Sequence, residues 1–341
     1  MATRYLRRGP RNLAAGPLKP HIDSFVLYLR AEGRSRKTIT LYSQAASWFA
    51  AEHLLTGGQP TDTDRRFDTA DDTSADMVTF EPVRDWELVS RVHLRSWLVR
   101  LRHRQHTDSY VNNQYRCLQQ FFRWLSAEEE IPNPMAKMRP PKIAPKPVPV
   151  FDEGDVDRIL RMPKGTDRCA AKRVDVCKLR DSAILQLLKD TGLRRQEIAG
   201  LRVGDVSIAD RRAVVTGKGS KTRYVKFTHP TARTLDKYLR WRTKQPDAHL
   251  PHFWLSHKGG PLTESGIYQM VRRRARRAGV DDVYPHRWRH DFSHRYLARG
   301  GEEGDLMELN GWDSRQMLRH YGRSAAASRA ARNYDRIMGD S

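Results

Sequence analysis

Cysteine, metal-ligand clusters and long apolar runs are all scarce in this chain. Cys117, Cys169 and Cys177 are its only cysteines. An odd count without C-x2-C pairing argues against a disulfide framework and a zinc site, and leaves buried or incidental thiols. Histidine is scattered, and no H-E-x-x-H motif or carboxylate cluster points to a metal or other cofactor. No apolar run approaches the roughly 20 residues that span a bilayer. The N-terminus, Met1–Arg8, is basic but is followed by neither the apolar core nor the cleavage site of a signal peptide. The expected location is therefore the cytoplasm, on the nucleoid, with no membrane partner.

Positive charge, by contrast, is abundant. Lys and Arg number 62 against 40 Asp and Glu in 341 residues, a formal net charge of +22. Such a surface attracts polyanions and releases their counterions, so double-stranded DNA is the expected partner. The length accommodates two domains, each with its own core.

The apolar pattern is helical at first. After a flexible basic arm over 1–17, Ile22, Phe25, Val26 and Leu29 share one face of a helix from Lys19 to Gly33. Ser35 is the expected N-cap of a second helix burying Ile39, Tyr42, Ala45, Trp48 and Phe49. Residues 56–86 break the period with Gly57, Gly58, Pro60 and a run of aspartates, which reads as a mobile acidic insertion without DNA contacts. Periodicity resumes through Val92, Leu94, Trp97, Leu98 and Leu101, then through Tyr110, Val111, Tyr115, Leu118, Phe121, Phe122 and Leu125. A small four-helix domain over 18–131 follows from this pattern. The Pro- and Lys-rich stretch 132–149 cannot be helix, and its charges suggest a linker running beside a phosphate backbone. The second domain, 150–341, opens with Asp152 or Asp155 as candidate helix cap. It carries a helix with Ile184, Leu185, Leu187 and Leu188, and then a hairpin of strands Ala213–Thr216 and Arg223–Phe227.

Phosphodiester cleavage by a side-chain oxygen needs a nucleophile, cationic forks for the nonbridging oxygens and a proton source for the leaving oxygen. The alternative is metal-activated water, for which this sequence offers no ligand set. Four segments meet the first set of demands. In Thr191–Leu201, Gly192 ends one helix and Arg194 begins the next, with Glu197 three residues on and able to orient the guanidinium. Lys218 stands in the Gly217-Lys218-Gly219 turn. His286 and Arg289 lie one helical turn apart after Pro285, a helix-start residue. Trp312 follows Gly311, and Tyr321 comes nine residues later. Each segment alone has an ordinary reading: a surface helix turn, a solvated hairpin lysine, a generic phosphate patch, a core aromatic.

Together they resemble the tyrosine recombinase, or phage integrase, family. The resemblance implies that Arg194 is the first catalytic arginine with Glu197 as acidic partner, and that Lys218 is the general acid. It further implies His286 as proton-transfer residue, Arg289 as second phosphate fork and Tyr321 as nucleophile. Trp312, which would hold the phosphate together with the two arginines, fills a position that is histidine in most members; its indole N–H donates but cannot shuttle a proton. Arg195 and Lys221 leave open a displacement of roles by one or a few positions.

The implied fold is mainly α with a small β component: an N-terminal all-α core-binding (SAM-like) domain and a C-terminal mixed α/β catalytic domain, forming a C-shaped clamp on DNA. The implied activity is site-specific recombination through a 3′-phosphotyrosyl intermediate in a homotetrameric synapse. It would need neither metal nor nucleotide, and would serve integration, excision or resolution of a mobile element, with a directionality factor as a possible accessory. The short segment before the first helix is too small for a separate arm-binding domain, which favours a simple recombination site. The tail from Ala325 to Met338 is helix-prone, with Ala327, Ala330, Ala331, Tyr334, Ile337 and Met338 on one face. It needs a surface on its own domain or, as the resemblance implies, on a neighbouring protomer. A type IB topoisomerase with the same chemistry and a non-catalytic DNA-binding regulator are the alternatives.

Overall fold

The computed structural model describes residues 10–69, 72–144, 149–161, 171–217, 221–314 and 318, and 330–331, 334–335 and 338–339 of the tail; residues 171–177 are described by their backbone. The chain divides into two compact units, residues 1–145 and 146–341.

The first unit is helical: α1 Lys19–Ala31, α2 Arg36–Phe49, the single turn α3 Asp62–Arg65, α4 Arg91–His103 and α5 Asp108–Glu128. Ser35 caps α2 by accepting from the Thr38 N–H, and Thr107 does the same for α5 from Tyr110, satisfying amides that have no partner within the helix. Val111, Tyr115, Leu118, Phe121, Phe122 and Leu125 of α5 are all buried. Their spacing keeps one stripe facing inward, where Phe121 meets Phe25 edge-on at 5.4 Å and Trp86 at 4.6 Å between ring centres. Val92 departs from its expected inward place on α4 and is exposed.

Two expectations for this unit are corrected. The arm is not free throughout: Ala15 is buried, and the Asn12 N–H donates to Glu52 Oε1 at 2.8 Å. The expected flexible segment 1–17 therefore does not extend over residues 10–17; residues 1–9 lie outside the described ones. Nor do the described residues of the acidic insertion, 56–69 and 72–86, form a solvated mobile loop. Phe67, Val83 and Trp86 are buried in it, the Trp86 Nε1–H donates to Leu18 O at 3.0 Å, and Asp64 has no solvent exposure. The physical reason is pairing. Arg100 of α4 and Arg104, its C-cap, both donate to Asp64, Arg100 Nη2 at 2.6 Å and Arg104 Nε at 2.6 Å. Burial alone would push this carboxyl up; the bonds from Arg104 and Arg100 outweigh it and hold Asp64 well below the usual range. The same setting, through burial and the neighbouring Arg100, pushes the His53 imidazole down to about 3.

The expected linker is partly tied down as well. Tyr115 Oη donates to Met138 O at 2.7 Å, and Asn112 Nδ2 to Pro141 O at 2.8 Å.

The second unit contains α6 Asp155–Leu160, α7 Ala171–Thr191, α8 Arg195–Gly200, strands β1 Val206–Ser207, β2 Arg212–Thr216 and β3 Thr222–Lys226, then α9 His229–Arg242, α10 Glu264–Arg277, α11 Pro285–Ala298 and α12 Glu303–Asn310. The strands form an antiparallel sheet in the order β1-β2-β3, with Val214 opposite Tyr224 and Thr216 opposite Thr222. Neither Asp152 nor Asp155 caps α6. Gly154 takes that position at φ 83°, while Asp155 turns its carboxylate back to the Asp152 N–H and to Arg158. Ile184, Leu185, Leu187 and Leu188 of α7 are buried in a core completed by Ile198, Val215, Val225 and Trp288. That core holds the α7–α8 corner, the hairpin and the start of α11 in fixed relation. No described helix is long and apolar enough to cross a membrane.

Candidate active site

The site is built on the corner between α7 and α8. Gly192 ends α7 at φ 57°, in the left-handed region where side chains are strained, and a Cβ there would come 2.8 Å from the Phe292 ring. This turn delivers Arg194 as N-cap of α8 with its side chain 34% exposed. Glu197, one turn later, is buried and reaches back: Arg194 Nη1 donates to its Oε1 at 2.9 Å and the Arg194 backbone N–H to its Oε2 at 2.8 Å. The i, i+3 spacing read from the sequence thus orients the guanidinium as anticipated.

A second arginine, unmarked by any motif, completes this arrangement. Arg223 of β3 donates Nη1 to Glu197 Oε1 and Nη2 to Oε2, each at 2.9 Å, and Nε to Leu309 O at 2.8 Å. Burial pushes the Glu197 carboxyl up, but Arg223 first and Arg194 after it outweigh that and hold it below its ordinary value. The strand alternation contained a signal for Arg223. It shares a face with the buried Val225, and an arginine turned inward must find an acceptor.

The end of α12 approaches the same corner. Gly311 turns left-handed at φ 60°, its carbonyl lies 3.4 Å from Arg194 Nη2, and Trp312 follows, buried. From α11, Arg289 is fully buried. Its Nη1 donates to Gly192 O at 3.1 Å and its Nη2 to Asn310 O at 2.6 Å, and its guanidinium carbon lies 5.4 Å from the centre of the Trp312 ring. Carbonyl acceptors fix a guanidinium without cancelling its charge, and the ring face adds cation–π attraction. Asn310 is held in turn by donating Nδ2 to Ser293 Oγ at 3.1 Å. His286, the second residue of α11, is exposed, with its ring 4.9 Å from that of His290.

Four of the motif positions, Arg194, Glu197, Arg289 and Trp312, therefore converge around Gly192 and Gly311. His286 sits one turn before Arg289 on α11. Lys218 and Tyr321 lie outside the described residues; the Gly217 N–H donates to Lys221 O at 2.8 Å where the hairpin closes. The neighbours of the motif residues are engaged elsewhere. Arg195 faces α10, 3.4 Å from Glu264, and Lys221 pairs with Asp313 at 2.7 Å.

The sequence matches the phage integrase family over residues 150–328. Its relatives include the tyrosine recombinase XerC of Herpetosiphon aurantiacus, 28% identical over 274 residues that span 79% of this chain and 85% of that protein. XerC of Oceanobacillus iheyensis is 28% identical over 305 residues, 87% and 89% of the two chains. Among solved structures, the XerH site-specific recombinase in a post-cleavage complex with a palindromic difH substrate superposes with a TM-score of 0.63 at 16% identity, over 95% of this chain and 90% of that one. The Tn1549 transposon integrase in complex with transposon right-end DNA does so with a TM-score of 0.64 at 16% identity, over 93% and 99%. A match across more than half of the sequence, on a fold that brings the motif arginines to one corner, places the chain in the phage integrase family of tyrosine site-specific recombinases.

Proposed function

We propose that this recombinase cleaves and rejoins duplex DNA with Tyr321 as nucleophile and the α7–α8 corner as phosphate site. The tyrosyl oxygen attacks the scissile phosphorus, the bond to the 5′ oxygen breaks, and a 3′-phosphotyrosyl link forms. Lys218 gives the departing 5′ oxygen its proton, and His286 assists in removing the tyrosyl proton. Arg194 and Arg289 hold the nonbridging oxygens as charge redistributes, and the Trp312 indole lines the same site. A 5′ hydroxyl from the partner strand then attacks the phosphotyrosyl bond and releases Tyr321. One phosphodiester replaces another, so the cycle needs neither nucleotide nor metal. The observation that carries this reading is the convergence of Arg194 and Arg289, from different helices, on the Gly192–Gly311 corner. The engagement of Arg195 by Glu264 and of Lys221 by Asp313 supports assigning the roles to Arg194 and Lys218.

The test is covalent capture on a nicked suicide duplex. Tyr321→Phe should leave duplex affinity nearly unchanged and yield no denaturant-resistant adduct; an adduct from that variant would refute the assignment.

We also propose that the protein acts as a DNA-bound homotetramer, with a directionality factor as an optional partner. The described tail positions Ala330, Ala331, Tyr334 and Met338 are all exposed, the last two at 65% and 63%. This supports docking of the tail on a neighbouring protomer, since a short helix in water is marginal without a surface to cover it. A chain ending at Ser324 should bind one site normally but lose cooperative binding of the second protomer and most recombination. Retention of both would point to docking within the same chain.

A further inference from the structure

We infer that Arg223, which lies outside the catalytic motifs, is a positioning residue for Arg194: by clamping both oxygens of Glu197 it fixes the first arginine and leaves that arginine's charge for the scissile phosphate. This rests on the reading of Arg194 as a phosphate fork.

The first argument is occupancy. A carboxylate offers about four acceptor sites. Those of Glu197 take the Arg194 N–H, Arg194 Nη1 and the two Nη groups of Arg223. Arg223 therefore leaves the carboxylate no freedom to rotate away from Arg194.

The second argument is charge. Glu197 and Arg194 alone would cancel, and an anion approaching Arg194 would meet a neutral pair. With Arg223 added, one carboxylate faces two guanidinium groups and the cluster keeps a net positive charge where Arg194 opens to solvent. The exposures follow this division, at 2% for Glu197, 12% for Arg223 and 34% for Arg194. Around Glu197, Arg195 is engaged by Glu264 on the α10 side and Lys221 by Asp313 at the rim, while the fully buried Arg289, held by carbonyls, adds its own positive charge to the corner. Strand β2 contributes the buried apolar Ala213 and Val215.

The third argument is connection. Arg223 also holds Leu309 O, and a Cβ on Gly311 would lie 3.3 Å from its Cδ and Nη1. One side chain thus ties β3, the strand after the Lys218 turn, to α8 and to the turn that places Trp312. Lysine substitutes only in part, because one ammonium lacks the planar fork that spans both carboxylate oxygens.

The experiment uses the full chain and a nicked suicide duplex selected from a random-sequence pool by covalent capture on the wild type. Arg223→Met should slow single-turnover adduct formation by about 100-fold, a loss on the scale of one phosphate-stabilising donor, with duplex Kd within about threefold. Arg223→Lys should fall between. The decisive variant is Glu197→Gln added to Arg223→Met. Removing the unshielded carboxylate frees the charge of Arg194, so the double variant should cleave roughly tenfold faster than Arg223→Met, a coupling that a mere tether would not produce. If Arg223→Met does not fold, the double variant decides, since it buries no uncompensated carboxylate. It should then match Glu197→Gln within about threefold, because what Arg223 does for Arg194 passes through that carboxylate, the Leu309 contact being a lesser contribution. Unchanged cleavage by Arg223→Met, a parallel loss of duplex affinity, or additive losses would each overturn the inference. Failure of the wild type to capture any duplex would instead overturn the functional reading beneath it.

Discussion

Asp64 in the first unit and Glu197 in the second are buried carboxylates each gripped by two arginines, and these two clusters differ in what they leave exposed. In the helical unit, Asp64 meets Arg100 and Arg104, whose side chains are 1% and 2% exposed. Their remaining donors go to Glu52, Gln59 and Thr61. Neither guanidinium faces solvent, and the cluster pins α3 to the C-terminal end of α4. In the second unit, Glu197 meets Arg223 and Arg194, and the latter is one-third exposed at the corner where α12 ends. The first cluster, its two cations sealed and matched by a second carboxylate, Glu52, on Arg104, is therefore structural, whereas the second, with one carboxylate and one open cation, is suited to an incoming anion. Exposure of the second guanidinium, rather than the presence of an ion pair, separates scaffold from site.

The comparison can be broken most forcefully at Asp64. Asp64→Asn leaves the buried Arg100 without a carboxylate and Arg104 with Glu52 alone, and should cost about 3–5 kcal/mol of unfolding free energy, measurable by denaturant titration. The pH sign follows from the depressed carboxyl. Its folded value lies below the unfolded one, so its contribution is complete above the ordinary aspartate range of about 4 and fades as pH falls through the folded value. The deficit of Asp64→Asn should therefore be constant from neutrality down to about pH 4 and shrink only in stronger acid. A deficit under about 1 kcal/mol would mean that the pair contributes no more than a surface one.

At the open cluster the expected effect shifts from stability to rate. Arg194→Ala should lower single-turnover cleavage by about 10²–10³-fold while the thermal midpoint moves little, because the residue is part-exposed and Arg223 still satisfies Glu197. A large drop in midpoint with cleavage preserved would make the two clusters alike.

The smallest expected effect sharpens the edge of the site. Lys221, exposed and paired with Asp313, should tolerate alanine with less than about a threefold loss of cleavage, as surface pairs contribute little. Lys218→Ala should fail on ordinary DNA yet recover on a substrate with sulfur at the 5′ bridging position, since a thiolate leaves without a proton. Rescue of the Lys221 variant alone would exchange the two roles.

Local signals in the sequence account for much of this molecule. The helical stripes of α1, α2 and α5, the Ser35 cap and the Arg194–Glu197 spacing all involve residues within a few turns of one another, where periodicity and capping act. The hairpin differs from its expected strands by a residue at the ends. What the sequence hid was tertiary. Asp64 finds Arg100 and Arg104 across 36 and 40 residues, and Glu197 finds Arg223 across 26. A string of aspartates read as solvated because nothing local revealed which one was buried. Arg223 passed as an ordinary strand residue because its partner lies on another element. The Gly154 cap was missed for a smaller reason: the neighbouring aspartates are good caps, but the chain needed a left-handed residue there.

The most direct test is to identify the side chain that carries DNA after capture. The full chain is trapped on the suicide duplex, digested with protease and nuclease, and the nucleotide-bearing peptide sequenced by mass spectrometry. The account predicts a single modified peptide containing Tyr321, joined through its phenolic oxygen to a 3′ phosphate. Modification at Tyr334 or any other residue, or a 5′ linkage, would contradict it.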